Sequence, residues 1–252
     1  MGVRRLLIGI LALGIALAGC SGPGGDPAPT SAPATSPSAQ PDGEARSALA
    51  AAVSKLGEDS VRFTLDMGEA ATAAGAADPA SGAMQVRMRV GGPTPMPFEL
   101  RTVGKGIYVK FGGNLAQQVG GGWMRVRGDD VPKALGSWSA QDPGGAQRLL
   151  QAITRVRRDG PRFLGTLNLT KSSTAAGRSL KDLGPKVGAV PFTARIDDQG
   201  RLVDLTVQMD AVTPELPPMI VRYSDFGTRV AVSKPQGRIG KIPDLLARAM
   251  DL

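Results

Sequence analysis

From residue 61 onward the chain alternates large apolar and polar side chains. Val61, Phe63, Leu65 and Met67 are interleaved with Arg62, Thr64 and Asp66; Met84, Val86, Met88 and Val90 with Gln85, Arg87 and Arg89; Phe98, Leu100 and Thr102 with Glu99 and Arg101. A period of two puts the apolar members on one side of a strand and the polar members on the other. It predicts half-buried strands in these segments and again over residues 107–111 and 123–127, with Gly-rich turns between them. Sequence-adjacent strands of this kind form an antiparallel meander with one apolar and one wet face. The alternation returns later. A strand is predicted over 162–170, and Val190, Phe192, Ala194 and Ile196 form one stripe. A hairpin turn at Asp197-Asp198-Gln199-Gly200 leads into a second stripe of Val203, Leu205, Val207 and Met209, and two more strands fall at 219–226 and 228–232.

Helical spacing appears in four places. Residues 44–56 carry Ala48, Leu49, Ala52, Val53 and Leu56 on one face and stop at Gly57. Residues 145–158 carry Leu149, Leu150, Ile153 and Val156, with Arg155, Arg157 and Arg158 near the carboxyl end, where positive charge complements the helix dipole. A short helix over 175–183, ended by Gly184-Pro185, and a closing one over 242–252 complete the set. Strands interrupted by helices in the middle and at both ends predict an α+β fold: a single curved antiparallel sheet with helices on its concave or open side.

The amino terminus follows different rules. Met1-Gly2-Val3-Arg4-Arg5 precedes an apolar run from Leu6 to Leu17, then the small residues Ala18 and Gly19, then Cys20, the one cysteine of the 252 residues. A basic start, an apolar stretch and small residues before a cysteine make a bacterial lipobox, in which residues 1–19 are a signal peptide and Cys20 becomes the acylated first residue. The mature chain is then held to the outer face of a membrane by acyl chains rather than by a spanning helix. Residues 20–43 are Pro, Ala, Ser, Thr and Gly with almost no large apolar side chain, too little to offset the entropy of ordering. They read as an extended tether, on the order of 3 Å per residue where polyproline-like. Residues 44–252 remain as one domain of a size that supports a real core.

Composition removes several chemistries. The chain has no histidine, hence no usual general base or zinc ligand, and its single cysteine is committed to lipidation. No catalytic residues, metal site or cofactor are predicted. The formal charge is +8, and loss of Arg4 and Arg5 with the signal leaves 28 basic against 22 acidic side chains. The basic residues form no tract along the sequence and aromatics are only 4%, so base stacking has little to work with and no nucleic-acid partner is expected. The positive surface reads as solvated, or as attracted to anionic headgroups or cell-wall polymers. Gly120-Gly121-Gly122 lacks the strand-loop-helix context of a phosphate cradle and reads as a loop; Asp129-Asp130 and Asp197-Asp198 read as turns; Asn168-Leu169-Thr170 is a chance sequon.

Several pieces in order carry a family resemblance. They are the lipobox Cys20 with its tether, Gly106-Ile107-Tyr108-Val109-Lys110, Gly122-Trp123-Met124-Arg125-Val126, Asp197-Asp198-Gln199-Gly200-Arg201-Leu202, and Arg222-Tyr223-Ser224-Asp225-Phe226-Gly227 followed by Val230-Ala231-Val232-Ser233-Lys234-Pro235. The mature domain resembles the actinobacterial LppX/LprAFG lipoproteins, relatives in shape of the LolA-type carriers. The resemblance implies a half-barrel sheet with helices packed on its concave face, enclosing a hydrophobic cavity that carries lipids or lipoglycans through the envelope, with an envelope transporter as a possible partner. The expected cavity, roughly several hundred Å³, is lined by Met88, Leu100, Val109, Phe192 and Val207 and roofed by Leu150 and Ile153 of the middle helix. The strand methionines fit either a packed core or an adaptable acyl-chain lining. The competing expectation is a non-catalytic interaction or scaffold lipoprotein with a solid core; an enzyme is the third and weakest, for want of an acid-base constellation.

Overall fold

The computed structural model describes residues 42–126, 139–171 and 184–243. Helix α1 (Asp42–Ser54) opens it and is followed by five strands, β1 (Val61–Asp66), β2 (Ala71–Asp78), β3 (Ala83–Val90), β4 (Met96–Val103) and β5 (Gly106–Phe111). Helix α2 (Gly113–Val119) and β6 (Met124–Val126) come next, then α3 (Ala146–Gln151), β7 (Ile153–Asp159) and β8 (Arg162–Leu167). The last strands are β9 (Val190–Ile196), β10 (Leu202–Val207), β11 (Met219–Ser224) and the short β12 (Gly240–Lys241). All join one open 12-stranded sheet in the order β12-β6-β5-β4-β3-β2-β1-β11-β10-β9-β8-β7. Every pairing is antiparallel except β12 on β6. The fold is mixed α+β, and among the described residues no helix is long and apolar enough to cross a membrane.

The registers put the apolar stripes on one face. Phe63 lies opposite Tyr223 and Gly75, Gly75 opposite Val86, Val86 opposite Leu100, and Leu100 opposite Val109. In the other direction Leu65 lies opposite Val221, Val221 opposite Leu205, and Leu205 opposite Ala194. Directly opposed residues share a side of the sheet, so Met84, Val86, Leu100, Val109, Phe192, Ala194, Leu205 and Val207 all face the same way. Two glycines make room for rings on this side. A Cβ on Gly75 would stand 2.5 Å from the Phe63 ring, and one on Gly165 2.6 Å from Phe192.

The strand β2, with sequence Ala-Thr-Ala-Ala-Gly-Ala-Ala-Asp, is the largest element the alternation does not announce. Its side chains are too small to carry a hydropathy signal, yet it pairs along eight residues with β3. The helix predicted over 145–158 is corrected. Only Ala146–Gln151 is α-helical, and Ile153 and Val156 belong to β7. Their spacing of three looks helical, but the register of β7 on β8 shifts between Ile153 and Arg155, and this bulge turns both side chains inward. A second shift, between Leu202 and Asp204, buries Leu202 and takes Val203 out of the apolar stripe. Residues 228–232 form no strand, while α2 and β12 add elements that the alternation does not reveal. The helix expected over 175–183, Asp129-Asp130 and nearly all of the closing helix lie outside the described residues, as do the signal peptide and residues 20–41 of the tether; its last two positions, Asp42 and Gly43, are corrected from tether to the first residues of α1.

Helix α1 buries Ala45, Leu49, Ala52 and Val53 against the apolar face, and Arg46 ties it to the start of β7 by donating to the Ile153 carbonyl at 3.1 Å. At its end Lys55 donates to the Gln199 carbonyl at 2.6 Å. The segment leading into α3 crosses β11: the Tyr223 hydroxyl donates to the Pro143 carbonyl at 2.9 Å, and the neighbouring Asp142 carboxylate accepts the Gln147 backbone N–H at 2.8 Å and the Arg148 guanidinium at 3.4 Å. Burial, reinforced by the charge of Asp142, pushes the Tyr223 hydroxyl well above the ordinary tyrosine range. A raised tyrosine pKa means the folded chain keeps a proton that the unfolded chain releases. This contribution is therefore whole below about pH 10 and is lost as pH rises beyond it. Tyr223→Phe is expected to cost about 1–3 kcal/mol at neutral pH by leaving the Pro143 carbonyl unpaired. Urea midpoints should also show the variant losing less stability than the parent above about pH 10.

Candidate functional site

Two places in the fold bear on function: the space between helices and sheet, and the sheet's opposite face. The first is nearly filled. Leu49, Val53, Leu149 and Leu150 meet Ile153, Leu167, Phe192, Leu202 and Leu205 around a space of about 10 Å³, the least that a single water needs. Of the expected cavity residues, Leu150, Ile153 and Phe192 come together here, and Val207 lies beside them opposite Phe192. Ile153 belongs to a strand and not to the roofing helix. Met88, Leu100 and Val109 share the apolar face but sit in β3, β4 and β5, whereas Phe192 and Val207 sit in β9 and β10, with β2, β1 and β11 between. At about 4.8 Å per strand, β3 and β10 are roughly 19 Å apart along the sheet. The expected lining residues therefore do not converge on one space: Leu150, Ile153 and Phe192 border the small one under α3, and Leu100 and Val109 lie several strands away. Leu100, Val109 and Val207 are at most 1% exposed, while Met88 is half-buried.

Open space lies on the polar face. A trough of about 510 Å³ runs across the strands from Glu99 in β4 to Arg195 in β9, walled by Arg62, Arg87, Arg195 and Arg222 and floored by Ala74, Gly75 and Ala76. A second space of about 460 Å³ shares Ala74, Arg87 and Glu99 with it but lies at the sheet's margin, lined also by Ala73, Met88, Phe98 and Phe111 of the apolar face, so that Met88 of the expected cavity residues borders open space here. The registers explain the lining. One row of opposed residues reads Arg162, Arg195, Asp204, Arg222 and Thr64, and continues through Ala74, Arg87, Glu99 and Lys110. A parallel row reads Ser224, Arg62, Ala76, Gln85, Arg101, Tyr108 and Arg125. The small β2 residues leave the channel, and the flanking guanidiniums rise around it.

Some of these charges are compensated. Glu99 accepts the Arg101 guanidinium at 2.8 Å and stands 3.9 Å from Arg87, and Asp204 is 3.7 Å from Arg222. Arg101 also stacks on Trp123, its guanidinium carbon 4.6 Å from the ring centroid. Arg195, Arg162, Arg89 and Arg125 form no ion pair among the described residues. The basic residues that form no tract along the sequence are gathered onto one surface by the fold. The signal is present in the sequence as the polar half of each amphipathic strand, which is arginine more often than any other residue.

The remaining motifs are structural. Asp197 accepts the backbone N–H groups of Gln199 and Arg201 and the Arg201 guanidinium, an Asx-type hairpin turn. Burial alone raises its pKa, but the backbone and guanidinium of Arg201 outweigh that, so its carboxyl is held below the usual range. The Asn168 carboxamide oxygen accepts the Thr170 N–H and hydroxyl within its own turn. Gly120, with φ of +86°, caps α2, so the glycine run serves a helix exit. No group of three or more metal-ligating side chains occurs among the described residues. No protein-family model and no curated protein matches the chain.

Proposed function

We propose that the protein is a non-enzymatic envelope lipoprotein, acylated at Cys20 and held on the extracytoplasmic face of the membrane, that binds lipids or lipoglycans and carries them through the envelope. In this reading the sheet is the half-barrel implied by the resemblance to the LppX/LprAFG lipoproteins, with the helices on its concave side. The observation that carries it is the apolar face itself: it is continuous across the sheet from β6 to β7, while among the described residues its helical cover is α1, α2 and α3, of which α3 has only six residues. Each acyl methylene removed from water contributes roughly 0.8 kcal/mol. A chain laid along this face therefore recovers enough to displace a short cover whose Leu149 and Leu150 are only half-buried. The nearly filled space under α1 and α3 is then the empty, closed form, and loading lifts α3 from the sheet.

A second reading is favoured by that same filled space: a solid-core interaction lipoprotein that engages an envelope partner through its surface. Native mass spectrometry of the protein purified from its own membrane separates the two. Acyl-bearing molecules retained on the folded chain support the carrier. A chain that flies only at its own mass supports the solid-core protein.

A further inference from the structure

Of the 23 basic and 16 acidic side chains described, 12 basic and 5 acidic project from the polar face of the sheet, which leaves 11 of each elsewhere. The net positive charge of the described protein therefore belongs to this one face, and the helix-bearing side and the loops are balanced. We propose that this face docks on an anionic phospholipid bilayer, with headgroup phosphates seated in the arginine-walled trough between Arg62, Arg87, Arg195 and Arg222. Guanidinium forks match phosphate oxygens bidentately, and arginine gives up its hydration more readily than lysine, which suits a surface whose partner is a phosphate layer. The occupant is argued from charge and shape together. The basic rows extend across strands from β8 to β5, a width of roughly 40 Å at the usual strand spacing, which calls for a broad sheet of negative charge and not a point ligand.

The docking rests on the anchored reading in one respect: acylation at Cys20 keeps the bilayer within reach of a tether some two dozen residues long, raising its effective concentration. The attraction itself belongs to the folded unit. Docked this way, the sheet lies against the headgroups and the helix-bearing face looks away into the envelope, where a partner or acceptor approaches.

The test uses the chain from Pro37 onward, which forms one compact unit apart from the residues before it, so that no acyl group contributes. Co-sedimentation with phosphatidylglycerol/phosphatidylcholine vesicles is compared with phosphatidylcholine alone, at low and high salt. Binding is expected only to the anionic vesicles and should weaken steeply with salt. Arg162→Gln with Arg195→Gln is expected to lower vesicle affinity roughly 25-fold, about fivefold per arginine brought near the surface. The control, Lys105→Gln with Lys186→Gln, removes the same charge outside the strands and is expected to change affinity less than twofold; circular dichroism confirms that both variants fold. Equal binding to neutral and anionic vesicles, or equal losses in the two double variants, overturns the proposal. So does tight binding of a soluble anionic polysaccharide by a chain that ignores anionic vesicles, which would assign the face to an envelope polymer. None of these outcomes depends on Cys20, whose acylation is read separately.

Discussion

Cys20→Ala is expected to move the protein from the membrane fraction to the soluble fraction without lowering its thermal stability. On the proposed acylation the effect is close to all-or-none, because the substitution removes the attachment point of every acyl chain at once and each methylene contributes roughly 0.8 kcal/mol of partitioning. The fold is untouched because residues 37–252 form a compact unit distinct from the first 36. The fractionation belongs at high salt, where attraction through the arginine face is screened and only a hydrophobic anchor holds. Intact mass reports the second half of the result: an acyl adduct on residue 20 in the parent and none in the variant. A variant already cut before residue 20 that still sediments with membranes in high salt would overturn the lipobox reading. Residual binding that salt abolishes is what the basic face predicts.

How far the sequence carries can be seen strand by strand. Where both halves of the alternation are chemically strong, as in Met84-Gln85-Val86-Arg87-Met88-Arg89, strand, face and partner side follow directly. Where the side chains are small, as in Ala71–Asp78, the hydropathy period vanishes although the backbone pairs as well as any other. Nothing in such a segment distinguishes a central strand from a linker. The bulges are a harder case. Ile153 and Val156 point to the same side only because one extra residue intervenes, and a spacing of three has the same look in a helix as across a bulge. The candidate site suffers from a different limit. Period two reveals that Leu100, Val109, Phe192 and Val207 share a face, but the distance between β4–β5 and β9–β10 is set by strand order, which depends on long-range pairing. Whether space remains beneath α3 depends on side-chain volumes meeting from separate elements. The arginine face was legible in principle, since each arginine occupies the polar half of a strand pattern. Its concentration becomes visible only once β1, β2 and β11 are placed between the outer strands and the rows join.

The interior offers the other large effect. Val207→Trp is expected to cost about 3 kcal/mol, the upper part of the usual overpacking range. Val207 is fully buried and faces Phe192 on one side and Met219 on the other, and Phe192 itself borders a space of only about 10 Å³. Arg195→Trp, one strand away on the opposite face, is the matched control and should change stability by less than about 0.5 kcal/mol. Denaturant midpoints at constant slope give both values; a Val207→Trp protein as stable as the control would mean that the interior is hollow after all. Leu150→Ala then separates the two functional readings. Leu150 is half-buried on a six-residue helix, so its truncation weakens the closed cover more than the sheet beneath. If acyl chains enter by lifting α3, the open form becomes more populated and apparent affinity for a fluorescent fatty-acyl probe rises in proportion, since a binding-competent state that is rare in the free protein reduces measured affinity by its own fraction. A gain of about tenfold corresponds to 1.4 kcal/mol removed from closure, while global stability falls by a similar amount. If the core is solid in function as well as in packing, Leu150→Ala loses that stability and gains no affinity, and the parent protein binds no probe at any concentration that leaves it folded.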